Sequence, residues 1–131
     1  MISLFIQIQF DSDTPIYEQL KQQLIIGMAQ QRLLPGERLP SVRELASDLG
    51  INMHTVNKAY KQLEEEGFLQ IHRQRGAIVS PKGPGKADEA YLKKIEEKLR
   101  PLIAEASLRQ VDQENLEGIV RRIYRELGGE R

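Results

Sequence analysis

The sequence predicts a mostly α-helical fold with one small β-hairpin, three helices before the hairpin and two after it. Three observations carry this. Apolar residues recur at helical spacing in five separate stretches. Two short segments, 68–73 and 77–80, flank Gln74-Arg75-Gly76, as in a hairpin. The run Ser80-Pro81-Lys82-Gly83-Pro84-Gly85-Lys86 has two prolines and two glycines and can continue neither a helix nor a central strand. The break divides the chain into residues 1–80, a linker over 81–87, and residues 88–131.

In chain order, Leu4, Ile6, Ile8 and Phe10 alternate with polar or outward residues and predict a short strand. Asp13-Thr14-Pro15 reads as a helix start, with a capping residue and a first-turn proline. Ile16, Leu20, Leu24, Met28 and Leu33 line that helix, and Leu34-Pro35-Gly36 ends it. Ser41-Val42-Arg43-Glu44 is a capping box, opening a helix that stops at Gly50. Asn52 caps the next helix, whose inward face is Val56, Ala59, Tyr60 and Leu63, and Gly67 follows its end. Residues 68–73 and 77–80 form the hairpin. Beyond the linker, Asp88 to Arg109 is helical, with Pro101 expected to kink or split it. Asp112 caps a last helix that Gly128-Gly129 ends.

Composition narrows the function classes. The chain has 131 residues, a formal net charge of zero and no cysteine. That size suits one domain with an appendage. A disulfide framework, a thiolate nucleophile and a Cys-type zinc site are excluded. Two histidines, His54 and His72, make a closed zinc site unexpected, so no metal and no cofactor is expected. No constellation combines nucleophile, base and oxyanion donor, so the chain is not read as an enzyme. No apolar run approaches the ~18 residues of a membrane span, and the N-terminus lacks the basic region and cleavage site of a secretory signal. A soluble, cytoplasmic protein without membrane partners is expected. The sequence pI near 6.8 gives no global electrostatic argument for a nucleic acid; any such reading rests on where the cations fall.

The stretch 38–61 holds four basic residues, and the wing adds His72, Arg73 and Arg75. A small residue, Ala46, stands four before Gly50, and Val56 stands six after it. Ala46 lets a second helix cross closely, Gly50 permits the turn, and Val56 fills the angle between the helices. This is helix-turn-helix spacing, in which the second helix enters the major groove. The hairpin directly after it makes the unit a winged helix-turn-helix. With its apolar face inward, the second helix turns Asn52, His54, Thr55, Asn57 and Lys58 outward, amides and hydroxyls suited to bases and cations suited to phosphates. Arg38, Ser41 and Arg43 lie at or before the first helix of the pair, and Arg73, Arg75 and Gly76 at the wing tip. These eleven residues are the candidate DNA-binding set. Glu64-Glu65-Glu66 closes the far end of the reading helix and is expected to face away from DNA. A winged-helix module that binds protein instead of DNA is the alternative; the basic, amide-rich face argues against it.

Leu34-Pro-Gly-Glu-Arg-Leu-Pro-Ser-Val-Arg-Glu-Leu-Ala46, Leu49-Gly-Ile-Asn52 and Thr55-Val-Asn-Lys-Ala-Tyr-Lys-Gln-Leu-Glu-Glu-Glu-Gly67 together resemble the GntR family of bacterial transcription regulators. Pro15-Ile-Tyr-Glu-Gln-Leu20 resembles the family's opening helix. The resemblance implies a dimeric winged-helix repressor or activator, in which Arg43, Thr55 and Gly76 match DNA-contacting positions; a repressor is the expectation. The sequence departs from the family pattern at Met53, where many members carry arginine, and at Gln74, where the wing usually has a glycine. Both departures bear on the base sequence read.

The short tail resembles the YtrA-type subgroup, whose helical tail makes the dimer. Its stripes, Leu92, Ile95, Leu99 and Ile103, then Leu116, Ile119, Ile123 and Leu127, exceed what a lone helical hairpin can bury. A four-helix arrangement between two copies covers them; folding back on its own winged helix is the alternative. Two helices are too few to enclose a ligand pocket of ~300–1,000 Å³ alone, which leaves a small-molecule effector an open question.

Overall fold

The computed structural model describes residues 5–128. They form two compact units that part between Gly85 and Lys86. The first holds α1 (Ile16–Ala29), α2 (Val42–Leu49), α3 (Met53–Glu65), β1 (Leu69–His72) and β2 (Gly76–Val79). The second holds α4 (Glu89–Leu108) and α5 (Gln113–Glu126). The fold is thus mostly helical with a single two-stranded antiparallel hairpin, Leu69 opposite Val79 and His72 opposite Gly76. Among the described residues no helix is long and apolar enough to cross a membrane.

The core of the first unit gathers around α3. Val56, Ala59, Tyr60 and Leu63 are all buried, with Leu20 and Leu24 of α1 and Leu45 and Ala46 of α2 packed against them. The Tyr60 hydroxyl crosses this core to donate to the Pro40 carbonyl at 2.8 Å. Burial, reinforced by the Glu44 charge, pushes the Tyr60 phenol well above its ordinary pKa and keeps it a donor.

Three sequence expectations are corrected in this unit. Residues 5–10 form no strand; Met1 to Leu4 lie outside the described residues. Strand-like alternation is present, but the backbone finds glutamine side chains of α1 in place of a sheet. Gln7 N–H donates to Gln23 Oε1 at 2.8 Å, and the Gln23 amide returns a bond to the Gln7 carbonyl. Gln9 N–H donates to Gln19 Oε1 at 2.8 Å, and Gln19 Nε2 reaches the carbonyls of Gln9 and Thr14. Helix α1 starts without a side-chain cap, Pro15 itself standing at the N-cap. It ends at Ala29 and not at Leu34, because Gln31 takes φ +62° and the N–H groups of Arg32 and Leu33 both turn back to the Gly27 carbonyl. Leu33 is still core, at 1% exposure, but reaches it from that loop.

In the second unit Asp88 caps α4 by accepting from Tyr91 N–H, and Asp112 caps α5 by accepting from Asn115 N–H. Pro101 sits inside α4 without splitting it. Leu127 is the C-cap of α5, one residue beyond the helix. Neither helix buries a residue.

Candidate nucleic-acid interface

The helix pair is built from local signals. Ser41 Oγ accepts from Glu44 N–H at 3.1 Å and Glu44 Oε1 accepts from Ser41 N–H at 3.0 Å, closing the capping box. That backbone bond, then the Ser41 hydroxyl, and more weakly the Arg38 charge, hold the Glu44 carboxyl below its ordinary pKa. Gly50 ends α2 at φ +68°, in the left-handed region, and Ile51 N–H bonds the Ala46 carbonyl to complete the turn. Asn52 then starts α3, its Oδ1 accepting from His54 N–H at 2.7 Å.

This geometry distributes the eleven candidate residues over three positions. Asn52, the N-cap, and His54, Asn57 and Lys58 of α3 are exposed, and Thr55 is half-buried among them. Met53, the first residue of α3, is 43% exposed beside them. Ser41 and Arg43 stand exposed at the start of α2. Arg73 and Arg75 are exposed in the hairpin turn, and Gly76 opens β2 with φ +76°.

Arg38 belongs with the last group. The segment before α2 pairs along the free side of β2: Leu39 N–H bonds the Ala77 carbonyl and Val79 N–H the Glu37 carbonyl, each at 2.8 Å, and Arg38 bridges Ile78. A Cβ at Gly76 would lie 3.9 Å from Arg38 Nε. Arg38 therefore joins Arg73 and Arg75 as a wing cation, a placement that its sequence position before α2 does not convey. Among the described residues no cluster of His, Asp and Glu could hold a metal ion.

Sequence reasoning missed two supports of the reading helix. Lys58 is not a bare surface cation: its Nζ lies 3.9 Å from the centroid of the Tyr17 ring on α1. Lys21, also on α1 and nearly buried, donates to Gln62 Oε1 at 2.9 Å and to Glu66 Oε2 at 3.0 Å. Helical period alone points Tyr17 and Lys21, one turn apart, to the same side of α1; that this side meets α3 is tertiary information. Glu66, the C-cap of α3, is thus tied to α1 at the end of the helix remote from Asn52.

In the tail, the apolar stripes lie open. Leu92 is 57% exposed, Ile103 44% and Ile123 46%. Ile95, Leu99 and Ile119 are likewise exposed, and Leu116 and Leu127 half-buried.

Comparison with known proteins places this arrangement. Residues 16–79 match the family described as bacterial regulatory proteins, gntR family. The chain is 40% identical to the HTH-type transcriptional repressor YtrA of Bacillus subtilis, over 95% of each chain. A solved structure described as a transcriptional antiterminator from Listeria monocytogenes superposes with a TM-score of 0.85 at 27% identity, covering 94% of this chain and 92% of that one. The AraR DNA-binding domain in complex with operator ORX1 superposes with a TM-score of 0.53 at 26% identity, covering 57% of this chain and 96% of that one. A capped helix pair turned at a left-handed glycine, a wing beside it, and likeness to YtrA along nearly the whole length lead to one assignment: the chain belongs to the GntR family of bacterial transcriptional regulators.

Proposed function

We propose that this regulator represses transcription as a homodimer on an inverted-repeat operator, with residues 1–80 binding DNA, 81–87 linking, and 88–131 dimerising. One observation carries the reading: the polar face of α3 is exposed from its Asn52 cap onward while the apolar stripes of α4 and α5 stand uncovered. The first is a surface for base edges. The second is a surface that water disfavours, and a second copy covers it with the same stripes.

Asn52, His54, Thr55 and Asn57 are assigned to bases, Lys58 and Arg43 to the groove margins and phosphates, and Arg38, Arg73, Arg75 and Gly76 to the wing contact. Ser41, exposed at the start of α2, is assigned to a phosphate. Leu92, Ile95, Leu99 and Ile103 of α4, with Leu116, Ile119, Ile123 and Leu127 at α5, are assigned to the dimer. Two reading helices about 34 Å apart match one turn of duplex. The likeness to a protein named as the repressor YtrA supports the repressor assignment, and the AraR complex supports DNA as the ligand.

The test is a mobility shift against the DNA upstream of the protein's own gene, with a random-sequence duplex pool beside it. Sequence-preferring binding that falls steeply with salt is expected, and Arg43→Ala should weaken it while the dimer persists in sedimentation. Absence of any sequence preference across the pool defeats the reading. A monomer at micromolar concentration defeats the dimer assignment.

A further inference from the structure

The edge of α1 that meets α3 carries a line of contacts that base reading does not use. Tyr17 and Lys21 stand one turn apart on α1. Lys58, Gln62 and Glu66 stand at four-residue intervals along α3 and its cap. Tyr17 faces Lys58, and Lys21 faces Gln62 and Glu66, so the two helices are in register along this edge.

The two rungs differ in charge. Lys21 is paired with a carboxylate and its charge is locally cancelled. Lys58 is held by a neutral ring at 3.9 Å, close range for an ammonium on an aromatic face. Its position is restrained and its full charge is kept. Tyr17 is half-buried and packed against the core, a fixed platform, whereas Lys58 is exposed. An unsupported lysine would lose much side-chain freedom on reaching a phosphate; a lysine already laid on a ring has lost part of it.

We propose that Tyr17 is a positioning residue for DNA binding, its ring holding the Lys58 ammonium on the α1 side of the reading helix to meet a backbone phosphate. An ammonium is a compact point charge without the planar fork that reads a base bidentately. The contact therefore adds affinity on every sequence alike. The inference rests on the proposed docking of α3.

The test is fluorescence anisotropy of the full chain on two duplexes across a salt series. One duplex is selected from a random pool by the unmodified protein, and the other is an unselected random duplex. Tyr17→Leu should weaken both by about two- to fivefold, and Tyr17→Phe, which keeps the ring, should recover that loss. Lys58→Met should weaken both and lower the slope of log K against log salt by about 0.9. In the Lys58→Met background Tyr17→Leu should cost nothing more. Both Tyr17 variants keep an apolar side chain against the core, and circular dichroism checks their fold. A Tyr17→Leu loss that persists without Lys58 overturns the inference. So does a Tyr17→Phe loss as large as that of Tyr17→Leu, which would assign the hydroxyl a direct contact, or a loss confined to the selected duplex. Arg43→Ala separates the two readings: if it leaves affinity unchanged, the docking fails and this inference with it; if it weakens binding while Tyr17→Leu does not, this inference alone fails.

Discussion

Tyr60→Phe removes one oxygen from the centre of the winged helix, and its cost can be worked out. The ring is 1% exposed and Phe fills the same volume, so no cavity forms. What is lost is the 2.8 Å bond to the Pro40 carbonyl. Had that carbonyl been fully buried, leaving it unpaired would cost up to about 3 kcal/mol. Pro40 is half-buried, so water reaches part of it and about 1–2 kcal/mol is expected. For a unit of this size that is a fall of about 4–16 °C in Tm. Urea unfolding at fixed protein concentration should show a lower midpoint with an unchanged m-value.

The pH dependence supplies a sharper check. The folded-state pKa of Tyr60 is raised by burial and then by Glu44. Its stabilising contribution is therefore complete below the unfolded value of about 10 and is lost as pH rises beyond it, because the unfolded chain ionises first. The loss approaches about 1.4 kcal/mol per pH unit. The gap between the parent and Tyr60→Phe should then close within one to two units above about pH 10. A variant within about 0.5 kcal/mol of the parent at neutral pH, or a gap that does not narrow in alkali, refutes the buried bond. Pro40 directly precedes the Ser41 cap, so the same bond ties the start of α2, and with it Arg43, to the middle of α3.

Gly50→Ala meets no neighbour within 4 Å, so only the left-handed backbone opposes it; a loss of about 1–2 kcal/mol in urea unfolding is expected. Ile123→Glu puts a charge on the tail stripe and should weaken the proposed dimer by about 3 kcal/mol, roughly a hundredfold in its dissociation constant by sedimentation, with the fold of the first unit retained by circular dichroism. Lys21→Met removes a nearly buried cation, but its partner Glu66 is 47% exposed and stays hydrated; thermal melting should change by less than the equivalent of about 1 kcal/mol. Because the Glu44 pKa is lowered by Ser41, the capping box stabilises α2 above the ordinary carboxylate range and is lost as pH falls through the lowered value. An NMR titration should find the Glu44 midpoint below the ordinary glutamate value of about 4.3, and a midpoint at or above it means that the box is open.

The features legible in sequence are those whose partners lie within one helical turn. The Ser41–Glu44 box, the Asn52 and Asp112 caps and the Gly50 turn each join residues a few positions apart, and residue type alone specifies them. The inward face of α3 was likewise readable, because a 3.6-residue period needs no knowledge of what packs against it. Tertiary structure decided whatever depended on a distant partner. The alternation over residues 4–10 is as good a strand pattern as the sequence holds, yet in the described part of it Gln19 and Gln23 take the backbone bonds that a neighbouring strand would have taken. Arg38 becomes a wing residue only because its segment pairs with β2, and Lys58 acquires its platform from Tyr17, forty-one positions earlier. A local sequence specifies dihedrals and periodicity; which donor meets which acceptor across the fold is settled by packing, where side chains from remote segments compete for the same groups.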